Sequence, residues 1–370
     1  MTTEALNAIA LSVLFGHRSE QLRQLYLRAG SATEIVDNAA DLHAVAPDIN
    51  ERFARIDGDS LSAALNRAHK EAEFMANSGV RALVMGDSDY PVRLREVCPD
   101  APLVLYWRGN ANLNAAHILS VVGTRHSTDY GRQMTERIIA DLAAVFPDLI
   151  IVSGLAYGTD FNAHRAALDN NIATIGVLAH GLDRIYPSMH RNTATKMLNQ
   201  GGLLTEYTSG VAPEKYNFLR RNRLVAALSE ATIVIESKER GGALTTARLA
   251  NEYALSVMAV PGRAGDEASV GCNRLIAASG AQLVCSALDI VKELGWQPAK
   301  SETVSQPTLF DNDLSAEEHL VLSHLSDEPH HFSAIVAAAS LPVPVVLSVL
   351  SELEFRNLAR QLPGSKWRRC

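Results

Sequence analysis

Arginine and hydroxyl side chains surround a glycine in the stretch ILSVVGTRHSTDYG, residues 118–131. Gly123 permits a tight turn, Thr124 offers a hydroxyl, and Arg125 offers a planar guanidinium that suits phosphate oxygens. Backbone N–H groups at the start of the helix expected near Gly131 also favour anions. These residue types predict an anion site, although a plain strand-to-helix connection with a solvated arginine fits them equally well.

A second basic cluster occurs in the stretch NFLRRNRLVAALS, where Arg220, Arg221 and Arg223 stand within four residues around Asn222. We expect these arginines on a loop or a first helical turn, just ahead of an amphipathic helix. There, mutual repulsion and the helix dipole are unfavourable unless an anion neutralises the charges. The alternative interpretation is a solvated run of surface charge.

A third stretch, GLDRIYPSMHRN, adds Arg184, His190 and Arg191 beside Tyr186, which could stack on a base or simply pack. The formal net charge of the chain is −7, so a polyanion site must be local. If the three stretches converge, they form a basic groove. A groove suits a nucleic acid strand better than a mononucleotide.

Nucleotide-binding signatures are incomplete in this sequence. The dinucleotide fingerprint needs three close glycines and an acidic residue roughly 20 positions further on, at the end of the second strand. Here that strand, LIIVSG, ends in Ser153 and Gly154 without a carboxylate. No GxxxxGK[ST] motif occurs either, so neither NAD binding nor P-loop chemistry is indicated. We expect the backbone N–H groups of Gly123 and Gly154 to contact phosphates instead.

Candidate catalytic residues are few. Asp160 and His164 are four residues apart in GTDFNAH and could share a helix face, but we expect Thr159 or Asp160 to cap that helix. Three glutamates close or follow strands and could pair as acid and base, or tether the arginine loops: Glu206, Glu236 and Glu239. The four cysteines share no CxxC spacing. We therefore predict no catalytic residue, no metal and no cofactor.

Short apolar runs alternate with amphipathic segments from about residue 80 onwards, and several runs are apolar on both alternations, as covered parallel strands are. The predicted strands are RALVMG, LVLYWRG, ILSVVG, LIIVSG, ATIGVLAHG, GGLLTEY, ATIVIES, SVMAVPG and AQLVC. This alternation predicts an α/β fold with a doubly wound, mostly parallel sheet.

Four segments are predicted along the chain. Residues 1–75 form a small helical domain, 76–297 the sheet domain, 298–314 a polar linker, and 315–370 a winged-helix domain of helices and a final hairpin. Hydrophobic residues make up 47% and charged residues 20%, which is typical of soluble globular proteins. The amino terminus does not read as a secretory signal, and no apolar run reaches bilayer-spanning length. We expect a cytoplasmic protein without membrane contact.

A set of motifs in this order resembles the DNA-processing protein A family, known as DprA or Smf. The motifs are VVGTRHSTDYG, VSGLAYGTDFNAHRAAL, GLDRIYP, TEY, RRNRLVAALSEATIVIE, GGALTTARLA, VPG and GCNRLIAASGAQLV. The match runs from about residue 78 to residue 296. The amino-terminal part is similar to the sterile-alpha-motif-like domain of many members, and the tail is similar to their winged-helix domain.

The resemblance implies a Rossmann-like protein that binds single-stranded DNA, forms a homodimer and loads the RecA recombinase onto strands coated by single-strand-binding protein. It also implies a role in natural transformation or recombinational repair, without enzymatic turnover. Carried over by position and joined to the residues above, the predicted DNA-binding set is Gly123, Thr124, Arg125, Gly131, Gly154, Arg191, Arg220, Arg221, Asn222 and Arg223. The alternative is a Rossmann-like enzyme acting on a nucleotide or a phosphorylated metabolite.

Overall fold

The computed structural model describes residues 1–297, 314–326, 328–356 and 358–369. The chain divides into two compact units, residues 1–299 and residues 300–370. The predicted linker lies outside the described residues except for Leu314. No single helix of the described segments has the length and apolar character needed to cross a membrane. A pair bent by 111°, Phe332–Ala339 with Val343–Glu354, passes that test only when its two helices are taken together.

Twelve helices occur in the described part of the first unit, together with short 3-10 turns at Leu42–Ala44, Glu51–Phe53 and Ser188–His190. The helices are α1 (Thr3–Phe15), α2 (Ser19–Ala29), α3 (Ala32–Asp37), α4 (Gly58–Ser78), α5 (Val92–Val97), α6 (Asp129–Val145), α7 (Thr159–Asp169), α8 (Arg191–Met197), α9 (Lys215–Ala227), α10 (Gly242–Glu252), α11 (Val270–Ala277) and α12 (Ala287–Leu294).

The amino-terminal helices α1 to α4 carry an apolar core that continues into the sheet. The hydroxyl of Thr2 accepts a hydrogen bond from the Ala5 N–H, which caps the start of α1. Ile9 and Leu11 of α1 are fully buried and belong to the same hydrophobic cluster as Leu105 of the sheet. These helices and the sheet belong to one compact unit. The domain boundary between residues 75 and 76 stays a prediction.

Nine strands in the described part of this unit form one sheet: β1 (Arg81–Val84), β2 (Val104–Gly109), β3 (Ile118–Val122), β4 (Ile150–Ser153), β5 (Ala173–Val177), β6 (Gly201–Thr205), β7 (Ala231–Val234), β8 (Ser256–Ala259) and β9 (Gln282–Leu283). Their order is β1-β2-β6-β5-β4-β3-β7-β8-β9. The β1–β2 and β2–β6 pairs are antiparallel and all the others are parallel. The predicted Rossmann-like, doubly wound and mostly parallel sheet is confirmed.

Both faces of the sheet are covered at its central strands, which explains why strands such as β3, β4 and β7 are apolar on both alternations. In β3, Ile118 and Val122 enter one hydrophobic cluster, whereas Leu119 and Val121 enter another on the opposite face. The strand order reverses between β3 and β7, because the chain first adds strands on one side of β3 and later on the other. Ligands of open α/β sheets bind at such a reversal, beyond the carboxyl ends of the strands.

The second unit contains α13 (Ala316–Ser323), β10 (His330–His331), α14 (Phe332–Ala339), α15 (Val343–Phe355), β11 (Ala359–Leu362) and β12 (Lys366–Arg369). Its three strands pair in the order β10-β12-β11, and its core includes Val346, Leu350 and Trp367. The predicted helices and final hairpin are present. This arrangement is a winged-helix fold, as the sequence predicts.

Candidate nucleic-acid interface

A cleft of about 320 Å³ opens at the reversal between β3 and β7. Its walls come from the turn after β3, the loop after β4, helix α9 and the loop after β7. Thus two of the three stretches singled out in the sequence, around Arg125 and around Arg221, line one cleft.

Arg125 lies at the surface of this cleft and faces solvent. Its guanidinium carbon is 5.6 Å from the ring centre of Phe218 on α9. The backbone that carries it is fixed, because the Thr124 N–H donates to the Glu236 carbonyl at 2.8 Å. Arg125 forms no ion pair with any described residue, so its charge is available to an external anion.

The amino terminus of α6 already holds an anion from the protein itself. One carboxylate oxygen of Glu236 accepts hydrogen bonds from the Thr128 N–H at 2.9 Å and the Ser127 hydroxyl at 3.2 Å. A Cβ atom on Gly131 would overlap this carboxylate. Gly131 is therefore placed against Glu236, and the helix dipole here stabilises an internal charge.

The loop after β4 is held in a similar way by Asp160. Its carboxylate accepts from the Gly154 N–H at 3.1 Å and from the Ala156 N–H at 3.4 Å. The predicted cap is therefore wrong: Gly158 occupies the capping position of α7, and Asp160 reaches back to the preceding loop. The expectation that the Gly154 N–H contacts a phosphate is also wrong, because Asp160 occupies that N–H. Burial raises the pKa of Asp160, and nearby Arg221 opposes the rise.

His164 is a core residue of α7. Its Nε2 accepts from the Leu155 N–H at 3.3 Å, so its Nδ1 carries the proton and donates to the Thr174 hydroxyl at 2.7 Å. Burial lowers the pKa of His164 to about 3. No cluster of three His, Cys, Asp or Glu side chains suited to a metal occurs among the described residues.

The depressed pKa of His164 predicts a loss of stability in acid. Below pH 6.5 His164 becomes protonated in the unfolded chain, whereas in the folded chain it stays neutral down to about pH 3. The free energy of unfolding should then fall by up to about 1.4 kcal/mol per pH unit in this window. Chemical denaturation between pH 6.5 and about 4.5 checks this, with His164→Gln as the non-titrating variant. Equal slopes for the two proteins would contradict the assignment.

The arginines of the second stretch lie in the middle of α9, so the prediction of a loop or first turn is wrong. Arg223 is buried and pairs with Glu206 at 2.6 Å and with Asp100 at 2.9 Å. Although burial lowers it, Glu206 and Asp100 raise the pKa of Arg223 above its ordinary value. The carboxylate of Glu206 also lies 3.4 Å from Arg220. Carboxylates of the protein therefore neutralise Arg220 and Arg223.

Arg221 forms the floor of the cleft and is only 4% exposed. Its Nη1 donates to the carbonyl of Gly154 at 2.7 Å and to the carbonyl of Val177. A Cβ atom on Gly154 would overlap the guanidinium, so glycine here permits close packing. Burial lowers the pKa of Arg221, against the raising effect of Asp160. Arg221 adds positive potential beneath the cleft, and half-buried Asn222 lines the same wall.

The third stretch reaches the cleft through an aromatic contact. Tyr186 is 45% exposed, and its ring centre is 5.8 Å from that of Phe218, which also contacts Arg125. Arg191 is exposed at the start of α8 but does not line the cleft. His190 is buried, and its ring stacks on Phe161 at 4.4 Å. The stretch therefore contributes an exposed aromatic ring beside Phe218, although Tyr186 itself does not line the cleft.

Two cations of the cleft were missed by sequence reasoning. Lys238 and Arg240 follow β7, are exposed and line the cleft. Lys238 pairs with Glu267 at 2.8 Å, whereas Arg240 has no ion pair within the described ranges. The stretch SKERGG, residues 237–242, could have indicated them, because it follows a strand that lies next to the reversal of the sheet. Arg125, Lys238 and Arg240 are thus three exposed cations on a cleft that Phe218 also lines. Such a combination of cations and an aromatic ring suits a chain of phosphates and bases.

Comparison with known families agrees with this geometry. A family model described as "DNA recombination-mediator protein A" matches residues 81–295, and one described as "DprA winged helix domain" matches residues 305–365. The "Putative DNA processing protein DprA" of Mycobacterium tuberculosis is 38% identical over 320 residues, covering 82% of this chain and 80% of that protein. The "Protein Smf" of Escherichia coli is 36% identical over 289 residues, covering 76% of each.

Two solved structures are similar in fold and sequence. The X-ray structure of DNA processing protein A from Streptococcus pneumoniae has a TM-score of 0.66 and 32% identity, covering 80% of this chain and all of that chain. DNA processing protein A from Helicobacter pylori has a TM-score of 0.52 and 30% identity, covering 58% of this chain and 95% of that chain. Its structure is described as giving insights into a single-stranded DNA binding mode.

Proposed function

Because this chain belongs to the DNA recombination-mediator protein A family, we propose that it binds single-stranded DNA in the cleft between β3 and β7. The observation that carries this proposal is the solvent-facing guanidinium of Arg125 beside Phe218, without a carboxylate partner among the described residues. The resemblance inferred from the motifs is confirmed. The Helicobacter pylori relative, described as binding single-stranded DNA, supports the ligand.

The cleft suits a single strand for a physical reason. Arg125, Lys238 and Arg240 line it and offer charge to phosphates. Tyr186, which contacts the cleft residue Phe218, offers an exposed ring on which a base can stack. Such contacts do not distinguish base edges, so binding is sequence-tolerant. The enzyme alternative is less favoured, because Glu236 occupies the helix terminus where a nucleotide pyrophosphate would sit.

We further propose that the protein is a cytosolic homodimer that loads RecA onto strands coated by single-strand-binding protein, in natural transformation or recombinational repair. Family membership supports this proposal. A segment around residues 257–283 is the dimer surface that we favour, and Leu283 there is exposed. The test is RecA filament formation on such coated strands, with and without this protein. Equal rates would reject the loading role.

Salt dependence tests the proposed binding mode directly. Fluorescence anisotropy with labelled oligo(dT) should show an affinity that falls between about 50 and 200 mM salt. Three phosphate contacts predict a slope of about −2 in log K against log salt. Mixed-sequence strands without secondary structure should bind within a few-fold of oligo(dT). Salt-independent binding, or no binding, would contradict the proposal.

A further inference from the structure

Helix α9 lies between the cleft and the amino-terminal helices. On the cleft side it places Phe218 and Asn222, which line the cleft. Arg220 stands two residues after Phe218, about 200° around the helix axis, so it lies on the opposite side of α9. There it lines a second cavity, of about 330 Å³, together with His17, which follows α1. Arg220 therefore lies outside the site proposed for the strand.

Arg220 connects α9 to residues 16–19, which link α1 to α2. Its Nη1 donates to the Nδ1 of His17 at 2.8 Å, and its Nη2 donates to the hydroxyl of Ser19 at 2.5 Å. An arginine has no acceptor, so the His17 ring accepts this hydrogen bond in its neutral form. The His17 ring also meets Tyr216 of α9 edge-on, with ring centres 5.2 Å apart. One short segment thus contacts two successive turns of α9.

The side chain of Arg220 is buried between these elements. It is 7% exposed and lies 3.4 Å from the carboxylate of Glu206, whose side chain is 6% exposed. Ser19, which accepts the second hydrogen bond, is buried as well. Hydrogen bonds from a charged donor are stronger than neutral ones, above all away from water. The Arg220 side chain therefore fixes the distance between α9 and residues 16–19.

The start of α9 depends on such contacts. Glu214 occupies the capping position without a side-chain hydrogen bond to the helix, and the first turn holds no acidic residue. Lys215 places a positive charge at the positive end of the helix dipole. Tertiary contacts must therefore stabilise this end of the helix. Phe218 is the fourth residue of α9, so the position of its ring depends on them.

We propose that Arg220 is a positioning residue for single-stranded DNA binding. Its hydrogen bonds to His17 and Ser19 hold the start of α9 so that Phe218 presents its ring to a base, and Arg220 itself does not contact the strand. This inference rests on the proposed function, because it concerns the same cleft. The amino-terminal helices thereby contribute to DNA binding from outside the cleft.

The test measures oligo(dT) binding by the full chain carrying Arg220→Ala. Loss of the contact lowers the fraction of protein in which Phe218 is correctly oriented, so the affinity at roughly 0.1 M salt should fall about fivefold. The slope of log K against log salt should stay unchanged, because no phosphate contact is removed. A strand of abasic nucleotides should bind both proteins within about twofold, since it has no base to stack on Phe218. General destabilisation would weaken both ligands alike.

Changes at the other end of the contact test the same connection. His17→Ala should lower the affinity for oligo(dT) by a similar factor, and adding it to Arg220→Ala should change little more, since both remove one interaction. His17→Asn offers an oxygen in place of Nδ1, so its affinity should stay within about twofold of the unchanged protein. Arg18→Ala is the matched control and should leave binding unchanged, because Arg18 donates to the carbonyls of Leu14 and Phe15 in its own segment.

Urea denaturation gives the folded fraction of each variant under the assay conditions. If the unchanged protein does not bind oligo(dT), the proposed function fails, and the positioning role fails with it. If the unchanged protein binds and folded Arg220→Ala binds as tightly, only the positioning role is overturned. A salt slope shallower by about 0.7 in Arg220→Ala would also overturn it, because Arg220 would then be a direct phosphate contact.

Discussion

Arg223→Ala is expected to lower the free energy of unfolding by about 3–5 kcal/mol, because it leaves buried Glu206 without its strongest partner. Glu206 already has one carboxylate oxygen without a hydrogen bond among the described residues. Asp100 loses its 2.9 Å contact as well. Denaturation in urea, followed by circular dichroism, measures this change. A loss below about 1 kcal/mol would show that the pair contributes little.

Arg240→Ala is the matched control for that experiment. Arg240 is exposed and has no ion pair within the described ranges, so its removal should change the free energy of unfolding by less than about 0.5 kcal/mol. The affinities of the two variants for oligo(dT) should also differ, because Arg240 lines the cleft and Arg223 does not. The folded fraction of Arg223→Ala should bind oligo(dT) within twofold of the unchanged protein, since Arg223 faces Glu206 rather than the cleft. A large loss of affinity in folded Arg223→Ala would instead make Arg223 a DNA contact.

The strands were predictable because burial on both faces leaves a local signature. A run such as ILSVV carries apolar residues on both faces, as strands covered on both sides do. The final hairpin was predictable for a related reason, since Pro363 and Gly364 interrupt two short runs that pair as β11 and β12. In both cases the determining residues are neighbours in sequence.

The roles of the arginines in α9 were not predictable from neighbours. Arg223 pairs with Asp100, which is far away in sequence and follows a different helix, so the local run looks like unpaired surface charge. The same holds for Gly131, whose purpose depends on Glu236 from another strand end. Arg125 differs, because no described carboxylate reaches it. Sequence motifs identified Arg125 and the arginines of α9 but not Lys238 and Arg240, and the fold decides which of these cations an external anion can reach.

Arg125→Ala should weaken oligo(dT) binding about tenfold, or about 1.4 kcal/mol, because a charge-assisted contact to phosphate is lost. The slope of log K against log salt should become shallower by about 0.7, as expected for one phosphate contact to a single strand. Stability should change by at most about 1 kcal/mol, since Arg125 is exposed and its guanidinium lies over the ring of Phe218.

Arg125→Lys separates the charge of this residue from its shape. Lysine keeps the charge, so the salt slope should match that of the unchanged protein, while the affinity falls less than in Arg125→Ala because the planar fork is lost. Arg137→Ala, which removes an arginine paired with Asp141, should leave both quantities unchanged. If folded Arg125→Ala binds oligo(dT) as tightly as the unchanged protein, the strand does not pass over this turn. In that case the loops after β3 and β4 would serve to hold the carboxylates of Glu236 and Asp160 rather than an external phosphate.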